Sequence, residues 1–379
     1  MDAPLSRLPL FDIRGEQAGF AAELRRRLDA VLAHCQFILG PEVAELEERL
    51  AAWCGARHCV GVGSGTDALL IALMAEGVGE GDAVFLPAFT YTATAEVPLL
   101  LGAVPVFVDI DSRTFQIDPA DLVRRIAAVR KNGKLRPRAL IGVDLFGQPA
   151  DWAALDEVAR AEGLFQLDDA AQSFGASLYN RRLGTFGDAT AVSFFPTKPL
   201  GGYGDGGALF TESDARAALY KSLRSHGEGA SRYEVLRIGI NGRLDTLQAA
   251  VLLARLTRFE EALAAREKIA RIYDRALSGL VETPRRVPDS TSAWAIYSVL
   301  LADSETRQRV RQALTEAGIG NNVYYPRPLH RQPAYATHHD GTPLPVSDGI
   351  SQRILALPMH PGLAEADIMR IAEVLQGAL

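Results

Sequence analysis

Seven short apolar runs punctuate the first part of the chain, at 58–62, 83–86, 104–109, 139–143, 164–168, 189–194 and 208–211. They are nearly continuous in apolar character rather than alternating, and helical patterns fall between most of them. Runs of this kind fit strands buried on both faces, so the pattern predicts a mostly parallel sheet with covering helices. A polar amphipathic start precedes the first run, followed by a helix over 41–53 with Pro41 in its first turn and Gly55 as its stop. Around Gly242 the texture changes. Residues 244–277 form one long helical pattern rich in Ala, Leu, Glu and Arg, too long for a single packed helix without a break, which reads as the link between domains. Beyond it, 294–301, an amphipathic 305–317, 322–325 and a terminal helix over 365–375 make a second α/β unit. The stretch 327–345 is dense in proline and polar residues without a period, and is expected to be a long surface loop near a site. The chain is therefore divided into a large unit over 1–255 and a small one over 256–379, with no internal repeat.

Composition narrows this picture. The 379 residues are 48% apolar and 23% charged, enough to bury a full core. No apolar run approaches the ~20 residues of a membrane span, and Met1-Asp2-Ala3-Pro4 lacks the basic-then-apolar layout of a signal peptide, so the expectation is a cytoplasmic protein without a membrane partner. Cys35, Cys54 and Cys59 have no partners at zinc-site spacing and read as buried thiols. A net charge of −6 speaks against nucleic acid as a partner, so an anionic small substrate must find local arginines.

The candidate chemistry begins at Lys198. Of 40 basic residues only five are lysines, at 131, 134, 198, 221 and 268. Four lie in polar or helical surface-like contexts, whereas Lys198 follows an apolar run and is flanked by proline and aromatic residues. An ammonium held in such surroundings loses its proton readily and a guanidinium does not, which points to Schiff-base chemistry. The plain alternative is a buried stem with its head in solvent. Two other features decide between them. Gly61-Val62-Gly63-Ser64-Gly65-Thr66-Asp67-Ala68 follows a strand and opens the helix 68–75, so backbone N–H groups can face an anion, helped by the Ser64 and Thr66 hydroxyls; a simple tight turn is the alternative. Asp168 and Asp169 close a strand at the sheet end where α/β proteins place ligands, with Gln172 one helical turn on from Asp169; capping of the next helix is the alternative there. An anion cradle, a carboxylate and a lone apolar-flanked lysine in one α/β domain are the three things pyridoxal phosphate needs: a seat for its phosphate, an acid for its ring nitrogen and an amine for its aldehyde.

At this point the chain resembles a known family. Gly65-Thr66-Asp67-Ala68, Thr90-Tyr91-Thr92-Ala93-Thr94-Ala95, Asp168-Asp169-Ala170-Ala171-Gln172-Ser173, Ser193-Phe194-Phe195-Pro196-Thr197-Lys198 and Gly239-Ile240-Asn241-Gly242-Arg243-Leu244-Asp245-Thr246-Leu247-Gln248-Ala249-Ala250 are similar, in that order, to the sugar-nucleotide aminotransferases of the DegT/StrS type. The resemblance implies a fold-type-I pyridoxal-phosphate-dependent transferase, with a seven-stranded, mostly parallel sheet, a smaller C-terminal α/β domain and a homodimer with shared active sites. It implies Lys198 as the Schiff-base lysine, Asp169 at the ring nitrogen, Gln172 near the phenolic oxygen and Tyr91 stacked on the ring. Gly65, Thr66 and Ser193 would hold the phosphate together with Asn241 of the neighbouring subunit. The reaction implied moves an amino group from an amino acid, glutamate by the family's habit, to a keto-sugar carried on a nucleotide diphosphate. Lysine rather than histidine at 198 speaks against the dehydratase branch.

Substrate contacts are expected from Tyr325, Arg327 and His330, in Tyr325-Pro326-Arg327-Pro328-Leu329-His330, and from Arg243, with Arg331 a further candidate; arginine suits diphosphate and carboxylate alike. The phrases Gln36-Phe37-Ile38-Leu39-Gly40-Pro41-Glu42-Val43 and Arg243-Leu244-Asp245-Thr246 resemble the branch that aminates C3 of UDP- or dTDP-linked 3-keto hexoses or hexuronates, in amino-sugar and surface-polysaccharide (lipopolysaccharide, O-antigen) synthesis. Amination at C4 of a 4-keto-6-deoxy sugar nucleotide is the alternative within the family. His338-His339-Asp340 looks like a metal cluster but lacks partner spacing, and no metal is expected. Outside the family, a nicotinamide-dependent dehydrogenase would want G-x-G-x-x-G and an acid ending the second strand, where this chain has Pro87. A regulatory protein that keeps the fold and binds the cofactor without turnover is a further alternative, against which an intact Lys198, Asp169 and Gln172 set speaks.

Overall fold

The computed structural model describes residues 7–231 and 233–379, so Met1 to Pro4 of the signal-peptide reading lie outside the described residues. Among the described residues twelve strands form three sheets. The seven of the main sheet are β1 (His58–Val62), β2 (Asp82–Pro87), β3 (Val104–Val108), β4 (Arg136–Val143), β5 (Phe165–Asp169), β8 (Ala189–Ser193) and β9 (Gly207–Thr211), in the order β1-β9-β8-β5-β4-β2-β3. Each of the seven predicted runs is one of these strands; 58–62 coincides with β1, and the others differ by at most three residues at an end. All neighbours pair in parallel except β9, which runs antiparallel to both β1 and β8. β2, β5 and β9 are buried at every position, which explains why their sequences do not alternate. The short strands β6 (Ser177–Leu178), β7 (Arg181–Arg182) and β10 (Ser290–Thr291) form a small outer sheet, while β11 (Tyr297–Leu300) and β12 (Ile354–Leu357) pair antiparallel in the smaller C-terminal α/β part.

The long helical pattern over 244–277 is two helices, Thr246–Leu256 and Phe259–Ala276. The break falls where the Thr257 hydroxyl donates to Ala254 O at 2.7 Å, competing with the backbone ladder. The first helix is buried along most of its length and the second along one face only, so the two halves answer to different packing environments. The segment 322–325 is not a strand. Asn322 alone bridges to Ala356, and its side chain then accepts from Val323 N–H at 2.9 Å, ending the pairing as the chain turns towards the main sheet. The helix Pro345–Arg353 and β12 directly after it were not predicted; no turn separates them.

One buried apolar cluster runs from Val60 and Ile71 in the main sheet region, through Ile269 and Tyr273, to Leu355 and Ile368 in the C-terminal part. At Gly147 the two parts meet backbone to backbone. Its φ is +105°, and an added Cβ would lie 2.7 Å from Trp294 N; its carbonyl accepts from Ala293 N–H at 2.9 Å and from the Ser292 hydroxyl at 3.0 Å.

Candidate active site

The C-terminal ends of β8, β5 and β4 and the turn after β1 converge on one region. The helix Gly65–Ala75 opens directly from that turn, with Ser64 as N-cap accepting from Asp67 N–H at 2.9 Å. Gly65 packs so closely on the end of β8 that an added Cβ would sit 2.7 Å from Ser193 Cβ. The result is a side-chain-free cradle at a helix N-terminus with Thr66 and Ser193 at its rim, the setting that binds phosphate. The segment bearing Asn241 and Arg243 lies alongside: Gly63 N–H donates to Gly242 O at 2.9 Å and Arg243 bridges to Val62. Asn241 is exposed, while Arg243 is partly buried with its Nε unpaired.

β5 ends on Asp169, which is 6% exposed. Its Oδ2 accepts from the Thr94 hydroxyl at 3.0 Å and its Oδ1 from Ala171 N–H at 3.3 Å. Burial pushes its pKa up, and these two hydrogen bonds and the nearby Lys198 pull it back. Lys198, partly buried in the turn after β8, anchors its own N–H on Phe195 O at 2.8 Å. Desolvation lowers its ammonium from 10.5 to about 8, with Asp169 acting in the opposite direction. Gln172 sits one turn beyond Asp169: its Oε1 accepts from Phe146 N–H at 3.0 Å, and its Nε2 donates to the Tyr325 hydroxyl at 3.3 Å. Burial raises the pKa of Tyr325, keeping the phenol neutral. Its ring packs edge-on against Phe89 and lies 6.5 Å from that of Tyr91, which is 57% exposed.

The loop 327–345 lies where expected, beside Tyr91. Leu329 N–H donates to Ala88 O at 2.7 Å, and the Tyr335 hydroxyl meets that of Thr92. Within this loop Arg327 is exposed. His330, expected at the substrate, is instead an interior side chain. It is 3% exposed, its ring lies 5.1 Å from that of His339 and 6.4 Å from Phe107, its Nε2 is 3.2 Å from Asp348, and burial lowers its pKa. Of the suspected metal cluster, Asp340 pairs with both Arg125 and Thr342 N–H, and His339 Nε2 lies 2.8 Å from Thr342 O. Among the described residues no group of three His, Cys, Asp or Glu could hold a metal ion, and no helix is long and apolar enough to cross a membrane.

Thr94 and Phe146 were not singled out from the sequence. Each acts on the site through a contact far along the chain, 75 residues for Thr94 on Asp169 and 26 for Phe146 on Gln172, and no local spacing marks either.

A sequence profile of the DegT/DnrJ/EryC1/StrS aminotransferase family matches residues 20–376. The chain is 44% identical over 369 residues to UDP-2-acetamido-2-deoxy-3-oxo-D-glucuronate aminotransferase of Pseudomonas aeruginosa, covering 97% of this chain and 99% of that protein. It is 39% identical over 372 residues to the pleiotropic regulatory protein of Geobacillus stearothermophilus, covering 97% of each. The crystal structure of a DegT DnrJ EryC1 StrS aminotransferase from Brucella abortus superposes with a TM-score of 0.95 at 45% identity, covering 98% of this chain and 99% of that one.

Proposed function

The chain belongs to the DegT/DnrJ/EryC1/StrS aminotransferase family, and from that premise we propose that it aminates C3 of a UDP-linked 3-keto sugar, a hexuronate by preference, with glutamate as donor. It is a pyridoxal-phosphate-dependent aminotransferase acting on nucleotide-linked keto-sugars. The finer choice of sugar is supported above all by its 44% identity, over nearly the full length of both chains, to the Pseudomonas aeruginosa enzyme named for a 3-oxo-glucuronate.

The residues present fit the cofactor. The cradle at Gly65, with Thr66 and Ser193, would take its phosphate, Asp169 its ring nitrogen, Gln172 its phenolic oxygen, and Tyr91 one face of its ring. When bound, the cofactor supplies an electron sink for the carbon that loses a proton. Lys198 then does the proton work. Its Nζ, neutral in a useful fraction near pH 8, takes the proton from the donor's α-carbon and returns one to the sugar carbon being aminated. Thr94 and Ala171 favour the ionised form of Asp169 against the effect of burial, and as a carboxylate it would keep its partner atom protonated. Tyr325, Arg327 and Arg243 are the sugar and diphosphate contacts in this reading; the interior position of His330 fits a support for the loop that carries Arg327.

Each site is read as shared between two copies of the chain. Phe37, Ile38 and Leu39 are 41–51% exposed, and Val235, Leu236 and Ile238 are 57–85% exposed, an apolar surface of the kind a second copy covers. Asn241 lies exposed on the segment that follows it. The decisive experiment supplies purified protein with glutamate and a panel of UDP- and dTDP-linked 3-keto and 4-keto sugars, and follows the amino-sugar by mass spectrometry. Turnover confined to 4-keto sugars would refute the C3 assignment. A second reading, regulation without turnover, draws on the likeness to the Geobacillus stearothermophilus protein; under it, glutamate would leave the visible spectrum of the loaded protein unchanged.

A further inference from the structure

The acid that precedes Asp169 on β5 has no part in the reaction above, yet it is the more deeply buried of the two. Successive strand residues face opposite sides of a sheet. With Asp169 turned to Thr94 and Lys198, Asp168 therefore occupies the reverse face. There it meets Asp144, the residue that follows β4: Gly142 pairs with Asp168, Val143 pairs with Asp169, and Asp144 N–H donates to Asp169 O at 3.1 Å. Both carboxyl groups are fully buried, at 0% exposure, on the same face of neighbouring strands, near enough to act on each other.

Their surroundings differ in one decisive respect. Asp144 accepts from Ala150 N–H at 2.7 Å, from the Trp152 indole N–H at 3.1 Å and from the Ser173 hydroxyl at 3.0 Å. Asp168 faces only the Thr190 hydroxyl at 3.3 Å, whose single proton has a nearer acceptor in Phe186 O at 3.0 Å, and Asp168 Oδ1 has no partner at all. The charged groups acting on Asp168 are Asp144, just after β4, and Asp169 from its own strand, both acids; β8 presents Thr190, and the helix Trp152–Glu162 presents the Trp152 indole to Asp144. Two carboxylates in contact in a dry interior do not both ionise. The one with three donors is the stable anion. A proton on the other gives the orphaned oxygen its missing bond. Burial pushes both carboxyls up; its three donors pull Asp144 back, whereas the two neighbouring acids push Asp168 further up, so the proton goes to Asp168.

We infer that Asp168 carries a proton which it donates to an ionised Asp144, and that this singly charged pair braces Gln172 from behind. The brace works through Asp144. Ser173 directly follows Gln172, Phe146 two residues after Asp144 donates to Gln172 Oε1 at 3.0 Å, and both segments are tethered to the same carboxylate. Asp144 and Asp168 are positioning residues; neither faces the cradle or Lys198. What the brace does for Gln172 rests on the function proposed above, but where the proton sits does not.

The test is urea unfolding of the full-length, cofactor-free chain from about pH 5 to about pH 9, wild type against Asp168→Asn. A carboxyl whose folded-state pKa is raised binds its proton more tightly when folded. Its contribution is complete below the unfolded value of about 4 and is lost as pH rises towards the folded value, by about tenfold in the folding constant per pH unit. Asparagine has the shape of the neutral acid, can donate to Asp144 and does not titrate. The expected result is that the variant gains on the wild type by up to about tenfold per pH unit across this window, and that its cofactor-loaded visible spectrum matches the wild type. Asp144→Asn leaves three donors without their anion, and is expected to lower the melting temperature by several degrees or to prevent folding. A stability difference that does not change with pH, an Asp168→Asn chain that does not fold, or greater tolerance at Asp144 than at Asp168 would overturn the assignment. Failure of the aminotransferase reading would leave the unfolding result untouched.

Discussion

Replacing Asp169 by asparagine is expected to lower the pKa of Lys198 further in the cofactor-free protein. Desolvation brings that ammonium from 10.5 to about 8, and the Asp169 carboxylate is what opposes it. At pH 7.5 an amine of pKa 8 is neutral in about a quarter of molecules, against about one in a thousand at 10.5. A unit charge a few ångström away, at an effective dielectric of about 20, is worth on the order of 2–4 kcal/mol. Losing it should move the midpoint down by at least about one pH unit and make about three quarters of the amines neutral at pH 7.5. Trace acetylation across pH, read peptide by peptide in a mass spectrometer, measures this directly. The four other lysines are exposed and serve as internal references. The wild-type Lys198 curve should bend near pH 8, and that of Asp169→Asn should bend lower. A wild-type midpoint near 10, or one that stays put or rises in the variant, would refute the electrostatic argument.

Lys198→Arg should leave the fold intact, as judged by circular dichroism, while turnover drops by about three orders of magnitude or more, because charge survives and the deprotonable amine does not. Gly65→Ala must push its new methyl into Ser193; overpacking of this kind costs about 1–3 kcal/mol, so cofactor affinity by titration should weaken by about tenfold or more while the melting temperature changes little. Lys198→Ala and Asn241→Asp, each inactive alone, should recover activity when mixed after dissociation, since one of the two sites in a heterodimer then has Lys198 from one chain and Asn241 from the other. No recovery with confirmed exchange would place Asn241 outside the neighbour's site.

The seven main strands were legible because most of their positions are buried and their sequences are apolar with few interruptions. Their order was not. The antiparallel insertion of β9 between β1 and β8 leaves no mark on residues 207–211 themselves, since it is decided by which neighbours the connecting loops allow. β12 escaped because the helix before it passes into strand without a glycine or proline at the junction. In the site, Lys198, Asp169 and Gln172 could be picked out by residue type and context. Thr94 could not, because a threonine becomes an acid's hydrogen-bond partner only when folding brings it there. His330 shows the opposite failure: a histidine among arginines and prolines in a polar loop reads as exposed, and only the packing of that loop on Phe107 buries it.

The contact at Gly147 bears on how such an enzyme can choose among sugars. Many proteins wrap a ligand by swinging two bodies together, and they discriminate by how completely the jaws shut. Here the carbonyl of Gly147 is bonded across the boundary, no side chain separates it from Trp294, and one apolar interior continues from the main sheet to the terminal helix. A frame joined in this way leaves the two parts no hinge at Gly147. In the proposed site selectivity then rests on side chains mounted on the frame, Tyr325, Arg327 and Arg243, whose changes retune the choice of sugar without disturbing the architecture that holds Lys198 in place.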